Sequence, residues 1–97
     1  MITSKQRAYL RKLANSIQPI FQIGKDGIGN NLIKQLDDAL EARELIKITI
    51  LESALLDTRS TCDELARKTH AEPVQAIGSK CVLYRESRDK KKIELPR

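Results

Sequence analysis

The chain has 97 residues, 40% of them hydrophobic and 32% charged, and a net charge of +5. That length makes one domain able to bury about 60–65% of its unfolded surface, and the composition is that of a soluble globular protein, not a disordered one. No apolar run approaches the roughly 18 residues of a membrane span, and a polar N-terminus without an apolar centre argues against a secretory signal; a cytoplasmic setting is expected.

A first helix is predicted from about Ser4 to Asn15, with Thr3 or Ser4 as N-cap. Leu10, Leu13, Ala14 and Ile17 recur at helical spacing, while Lys5, Arg7, Arg11 and Lys12 occupy the remaining surface, Arg7 and Arg11 on a shared face. Pro19 ends this stretch and opens a short strand, Pro19 to Ile23, which Gly24 closes. Gly24-Lys25-Asp26-Gly27-Ile28-Gly29 then connects to a second helix, roughly Asn30 to Arg43. Its buried stripe is Leu32, Ile33, Leu36, Ala39 and Leu40, with Lys34, Asp38, Glu41 and Arg43 toward water. Asp37, Asp38, Glu41 and Glu44 are expected on a solvated side, which indicates no catalytic pair.

Leu45 to Leu51 is the clearest strand, because Ile46, Ile48 and Ile50 alternate with Lys47 and Thr49. A weaker third helix is expected over Ser60 to Thr69, its start marked by Ser60-x-x-Asp63. Pro73 stops it. Val74 to Ile77 and Cys81 to Tyr84 read as strands joined by a hairpin turn at Gly78-Ser79-Lys80. Beyond Arg85 the chain becomes a charged tail, where Ile93 and Leu95 are too isolated to indicate a strand. The order α-β-α-β-α-β-β predicts an α/β fold: a mixed four-stranded sheet packed with three helices, its last two strands antiparallel.

Charge is segregated along this order. Residues 1–25 hold five bases and no acid, residues 26–79 six bases against ten acids, and residues 80–97 seven bases against three acids. Basic ends on an acidic middle are what a polyanion-binding face looks like along a sequence, although solvated lysine-rich termini give the same pattern. Cys62 and Cys81 form no Cys-x-x-Cys pair and are read as small buried hydrophobes, with a structural disulfide as the alternative. Two cysteines and one distant histidine fall short of a zinc site. The lone His70 has no partner for nucleophilic or general-base work, and the glycine loop lacks P-loop spacing. Neither enzyme activity, cofactor, metal nor small-molecule substrate is expected.

Several blocks, in order, resemble one family. Phe21-Gln22-Ile23-Gly24-Lys25-Asp26-Gly27-Ile28, Ala39-Leu40-Glu41-Ala42-Arg43, Glu44-Leu45-Ile46-Lys47-Ile48, Val74-Gln75-Ala76-Ile77-Gly78 and Val82-Leu83-Tyr84-Arg85 are similar to the CRM domain (chloroplast RNA splicing and ribosome maturation). The single-domain bacterial members are the YhbY-like proteins, whose C-terminus the closing Lys92-Ile93-Glu94-Leu95-Pro96-Arg97 also resembles. The resemblance covers essentially the whole chain. It implies a fold like the C-terminal domain of translation initiation factor three, and binding to RNA. Bacterial members are associated with precursors of the large ribosomal subunit, so the resemblance implies ribosomal RNA as partner and a role in ribosome assembly.

In KH domains a Gly-x-x-Gly loop clamps the sugar-phosphate backbone, and a helix N-terminus offers unpaired N–H groups to an anion. Gly24, Lys25, Asp26 and Gly27 fit that role, with Asn30 and Asn31 extending the donors, Lys34 beside them, and Lys5, Arg7, Arg11 and Lys12 as a flanking platform. The plainer reading is a tight β-to-α connection. Asp26 would repel phosphate unless it points away or caps the second helix. Tyr9, Phe21 and Tyr84 are the only aromatics, so backbone and shape contacts suit this chain better than base stacking, Tyr9 being the one stacking candidate. The face that Lys80 and Arg85 share stays open, as does the choice between an electrostatic arm and a solvated tail for Arg88 and Lys90 to Lys92. The rival to RNA binding is an adaptor that docks on ribosomal proteins through its acidic middle.

Overall fold

The computed structural model describes residues 2–97. Helix α1 covers Ser4–Ala14, strand β1 Phe21–Ile23, helix α2 Asn30–Arg43 and strand β2 Leu45–Ile50. A 3₁₀ turn at Glu52–Ala54 follows, then helix α3 at Thr58–Thr69, strand β3 at Glu72–Ile77 and strand β4 at Lys80–Tyr84. The expected α-β-α-β-α-β-β order and mixed four-stranded sheet are both present.

The strand order is β1-β2-β4-β3. Strands β1 and β2 run parallel, which requires a crossover, and α2 supplies it. Strand β4 lies antiparallel to both β2 and β3. The β3–β4 hairpin turns at Gly78 and Ser79, where Gly78 takes φ +58°, a left-handed conformation that suits glycine. This topology leaves β1 and β3 as the two edges.

Strand alternation splits the core in two. Ile46, Ile48 and Ile50 of β2 join Ile23, Cys81 and Leu83 under α2 and α3, against Leu36, Leu40, Cys62 and Leu65. The intervening positions face the other way. There Leu45, Val74, Val82 and Tyr84 pack against Leu10 and Ala14 of α1, with Ile93 and Leu95 from the C-terminal segment. The sheet is thus a middle layer, and α1 covers only part of its second face.

Local bonds set where the elements start, as expected for α1 and earlier than expected for α3 and β3. Helix α1 begins with a capping box in which Thr3 accepts from the Gln6 N–H and Gln6 from the Thr3 N–H. Helix α3 begins two residues before Ser60, because Asp57 is the N-cap and its carboxylate accepts from the Ser60 N–H at 2.9 Å. Strand β3 starts at Glu72 and runs through Pro73; an edge strand tolerates the missing N–H, and a bulge between Pro73 and Gln75 absorbs the irregularity.

The charged tail is tied down. Glu44, expected in solvent, is fully buried at the C-cap of α2 with φ +68°. Its carboxylate accepts from the backbone N–H groups of Ser87, Lys92 and Ile93, each at 2.7 Å. Glu41 accepts from Ser87 Oγ, Arg88 N and Asp89 N. Asp37 pairs with Arg85. Of the four acids expected on a solvated side, Asp37 and Asp38 are exposed and only Glu44 is buried. Glu41 and Glu44 bond the returning chain because it crosses the end of α2 and its N–H groups need acceptors.

Candidate nucleic-acid interface

The turn Gly24–Gly27 leaves the C-terminal end of β1. The Gly27 N–H donates to the Gly24 carbonyl at 2.9 Å, so that one donor is spent on the turn itself. Gly27 takes φ +66°, and a Cβ there would have no atom within 4 Å. Gly24 is backed by its own protein: a Cβ would lie 3.6 Å from Leu51 Cδ1 and 3.7 Å from Ser53 Oγ. Lys25 and Asp26 form the exposed tip. Their backbone N–H groups have no partner among the described residues.

Helix α2 starts just beyond. Its N-cap is Gly29, which has no side chain to offer, and the first N–H bonded within the helix is that of Ile33, to Gly29 O. The N–H groups of Asn30 and Asn31 therefore stay open beside the turn, at the positive end of the helix dipole. Asp26 does not cap this helix. The N–H groups of Lys25, Asp26, Asn30 and Asn31 are thus unbonded among the described residues, donors suited to a phosphate oxygen beside the exposed Lys25 side chain.

Register places a second polar surface at the same end of the sheet. Gln22 pairs with Thr49, Thr49 with Lys80, and Lys80 with Ile77. Directly opposed residues project to one face, so these four form a row from β1 to β3 on the α1 side. Lys47 lies one step deeper on that face. Helix α1 stops short of the row: Gln22 is exposed, and Ile77 is 63% exposed. Lys80 thus belongs to this face. Arg85 does not, since its guanidinium is held by Asp37 and by the Thr69 carbonyl on the α2–α3 side.

The cations of α1 divide between two directions. Arg7 and Arg11 point along the flank toward β3, where the Arg7 Nε donates to the Pro73 carbonyl at 3.3 Å. They line a groove with Arg59 and Asp63 of α3 and with residues 73–77 of β3. Lys5 and Lys12 are exposed on the outer side of α1, rotated away by the 100° step per residue. Lys34 sits on α2, behind the sheet, 4.0 Å from Asp38. The structure therefore brings together the turn, Asn30 and Asn31 at the β1 edge, and Arg7 and Arg11 at the β3 edge. Lys34 is exposed one helical turn beyond Asn30 and Asn31 on the same face of α2, whereas Lys5 and Lys12 stand apart from both places.

Gln22, Lys47, Thr49 and Arg59 escaped the sequence reading. The alternation of β2 marked Lys47 and Thr49 as facing away from the isoleucines, but strand order decides what lies beside them. No pattern flagged Arg59. Of the aromatics, Tyr9 is on the outer side of α1 and Tyr84 is buried, so the open row offers no stacking ring.

A model of the CRS1 / YhbY (CRM) domain matches residues 2–85. The chain belongs to the CRM family. It is 46% identical over 96 residues to the Probable RNA-binding protein YqeI of Bacillus subtilis, covering 99% of this chain and all of the relative. It is 32% identical to an RNA-binding protein of Haemophilus influenzae, covering 99% and 96% of the two chains. The solution structure of SAV1595 from Staphylococcus aureus, described as a candidate RNA-binding protein, is 50% identical. It superposes with a TM-score of 0.79 over 99% of this chain and all of the other. This CRM domain thus shares its fold with a solved relative along nearly its full length.

Proposed function

We propose that this protein binds RNA, specifically ribosomal RNA of the large-subunit precursor, and acts in ribosome assembly in the cytoplasm as a binding protein rather than a catalyst. The observation that carries the reading is a Gly24–Gly27 turn, exposed at Lys25 and Asp26 and open around Gly27, beside an uncapped helix N-terminus, in a chain whose family relatives are named for RNA binding. Phosphate contacts come from main-chain N–H groups, with Lys25 adding charge and Gln22, Thr49 and Lys80 extending the surface. The ribosomal assignment rests on the association of bacterial family members with large-subunit precursors. The adaptor reading loses ground, because Asp37, Glu41 and Glu44 of the acidic middle already bond Arg85 and the tail of the chain itself.

Titration of ribosomal RNA fragments across a salt series tests RNA binding. Log affinity should fall linearly with log salt, and Lys25→Ala should flatten the slope by roughly 0.7–0.9. A salt-independent response, or no binding by the isolated protein, refutes the reading. Sedimentation of cell extracts tests the assembly role: the protein should travel with large-subunit precursors, and its absence from them would remove that part alone.

A further inference from the structure

The groove between α1, α3 and the β3 edge collects three guanidiniums, Arg7, Arg11 and Arg59, against one carboxylate, Asp63. Arg11 and Arg59 are exposed and form no ion pair among the described residues. Arg7 is oriented by its bond to the Pro73 carbonyl. Guanidinium forks converging on one concave surface match phosphate oxygens by charge and by planar geometry.

An edge strand bordered by cations also suggests an acidic peptide added as a fifth strand. The backbone of β3 argues against it. Pro73 has no N–H, its carbonyl is taken by Arg7, and the Gln75 carbonyl is met by Cys62 Sγ at 3.6 Å. Too few main-chain groups remain to register another strand. Recognition at this edge falls to the arginine side chains.

The turn and the arginine groove lie at opposite edges of the sheet, whose edge strands are about 14 Å apart at the usual strand spacing. Between them runs Gln22–Thr49–Lys80–Ile77, which carries hydrogen-bonding groups and no aromatic ring. Single strands are gripped by stacking bases on rings, whereas A-form helices are read by phosphates and 2′-hydroxyls across a wide, shallow minor groove. We infer that the groove of Arg7, Arg11 and Arg59 is a second phosphate-binding site, and that with the Gly24–Gly27 turn it holds a base-paired RNA stem across the open sheet face. The inference rests on the RNA-binding reading above and adds the second site and the form of the RNA.

Fluorescence anisotropy with the full chain tests it, using a labelled RNA hairpin, an unstructured single strand of the same length, and a DNA duplex of the hairpin sequence. The hairpin should bind about tenfold or more tighter than either of the others. Arg59→Gln and Arg11→Gln should each weaken hairpin binding about tenfold and flatten its salt slope by about 0.9. Thermal melting within a few degrees of the parent establishes that these exposed variants are folded. Single-strand binding equal to hairpin binding overturns the stem. Unchanged hairpin affinity and slope for both arginine variants, with Lys25→Gln still weakening binding, overturns the second site and leaves the first standing. Salt-independent or absent binding of every probe removes the RNA-binding reading itself.

Discussion

Glu44 offers the sharpest test of how this fold is held. It sits at the end of α2 with a positive φ of 68°, fully buried, with three backbone N–H groups at 2.7 Å from its carboxylate. Charge-assisted bonds of this kind are worth about 1.5–3 kcal/mol each, so the three sum to about 5–9 kcal/mol if nothing relaxes. Relaxation is available, because residues 87–97 can lift away and let water take the freed N–H groups. The cost is then capped by the docking free energy of that segment, including burial of Ile93 and Leu95, and Glu44→Gln should lower unfolding stability by about 2–4 kcal/mol. Glu44→Gly and Glu44→Ala both remove the carboxylate, but alanine keeps the unfavourable φ. Alanine should therefore be worse than glycine by about 1 kcal/mol. Urea unfolding gives the stabilities, and amide hydrogen exchange at Ser87, Lys92 and Ile93 reports whether the tail is docked. Parent-like stability and protection in Glu44→Gln would refute the reasoning.

The same group sets an acid limit. Burial raises the Glu44 pKa, but the N–H groups of Ser87, Lys92 and Ile93 outweigh it and hold the carboxyl below its ordinary 4.5. A depressed folded-state pKa contributes stability above the unfolded value, and that contribution disappears as pH falls through the folded one. Tail amides should thus lose protection below about pH 4.5, near the unfolded glutamate pKa. Glu44→Gln should remove that pH dependence at Lys92 and Ile93, leaving the part that Glu41 carries through Ser87 and Arg88. A tail that stays protected to pH 2 in the parent would exclude Glu44 as the anchor.

Gly27→Asp should weaken RNA binding about tenfold by placing a carboxylate in the turn, yet cost only about 1 kcal/mol, since Asp tolerates positive φ and the space is open. Circular dichroism melting beside Leu36→Ala, a core change worth about 2–5 kcal/mol, separates the two effects; equal losses would make the glycine structural. Leu55 is 91% exposed at φ +56°, a conformation that suits asparagine better than leucine. Leu55→Asn should raise the melting temperature by a few degrees, and a drop would show a packing role for the side chain. Cys62 and Cys81 are buried with their sulfurs 2.7 Å apart. The hydrogen bond to Cys62, followed by burial, pushes the Cys81 thiol up, so it stays protonated. A water-soluble thiol reagent should label neither until the protein unfolds, and rapid labelling of the native protein would contradict this.

What was legible in the sequence follows a physical line. Helix α2 was readable to both ends because its apolar stripe repeats over four turns and Gly29 and Glu44 bound it. Strand β2 showed its alternation plainly, although its end came one residue early, at Ile50, where the 3₁₀ turn takes over. The start of α3 was misplaced because Ser60-x-x-Asp63 imitates a capping pattern, while the real cap is Asp57 one turn earlier. Glu44 was misread for a deeper reason. Helical spacing places it with Asp37 and Glu41, but its burial is created by a segment more than forty residues away, and no local pattern encodes that. The turn at Gly24–Gly27 was visible because glycine spacing and a following helix are local features. Arg59 was invisible because its partners across the groove come from α1 and β3.

Glu44 and the arginine groove are parts of one arrangement. The tail held by Glu44 runs back across the second face of the sheet. There Ile93 and Leu95 pack with Leu13 and Ile17, and the Pro96 carbonyl accepts from Gln6 Nε2 of α1 at 2.9 Å. Helix α1 is held on the sheet by Leu10 and Ala14 and at β3 by Arg7, and the tail closes its remaining side. Its orientation fixes where Arg7 and Arg11 stand relative to β3. The carboxylate at the end of α2 therefore helps, through the tail, to position cations on the far side of the sheet that it never touches. A chain of this size cannot surround every element with core, and a terminal segment pinned by one buried acid serves as the outer wall for α1.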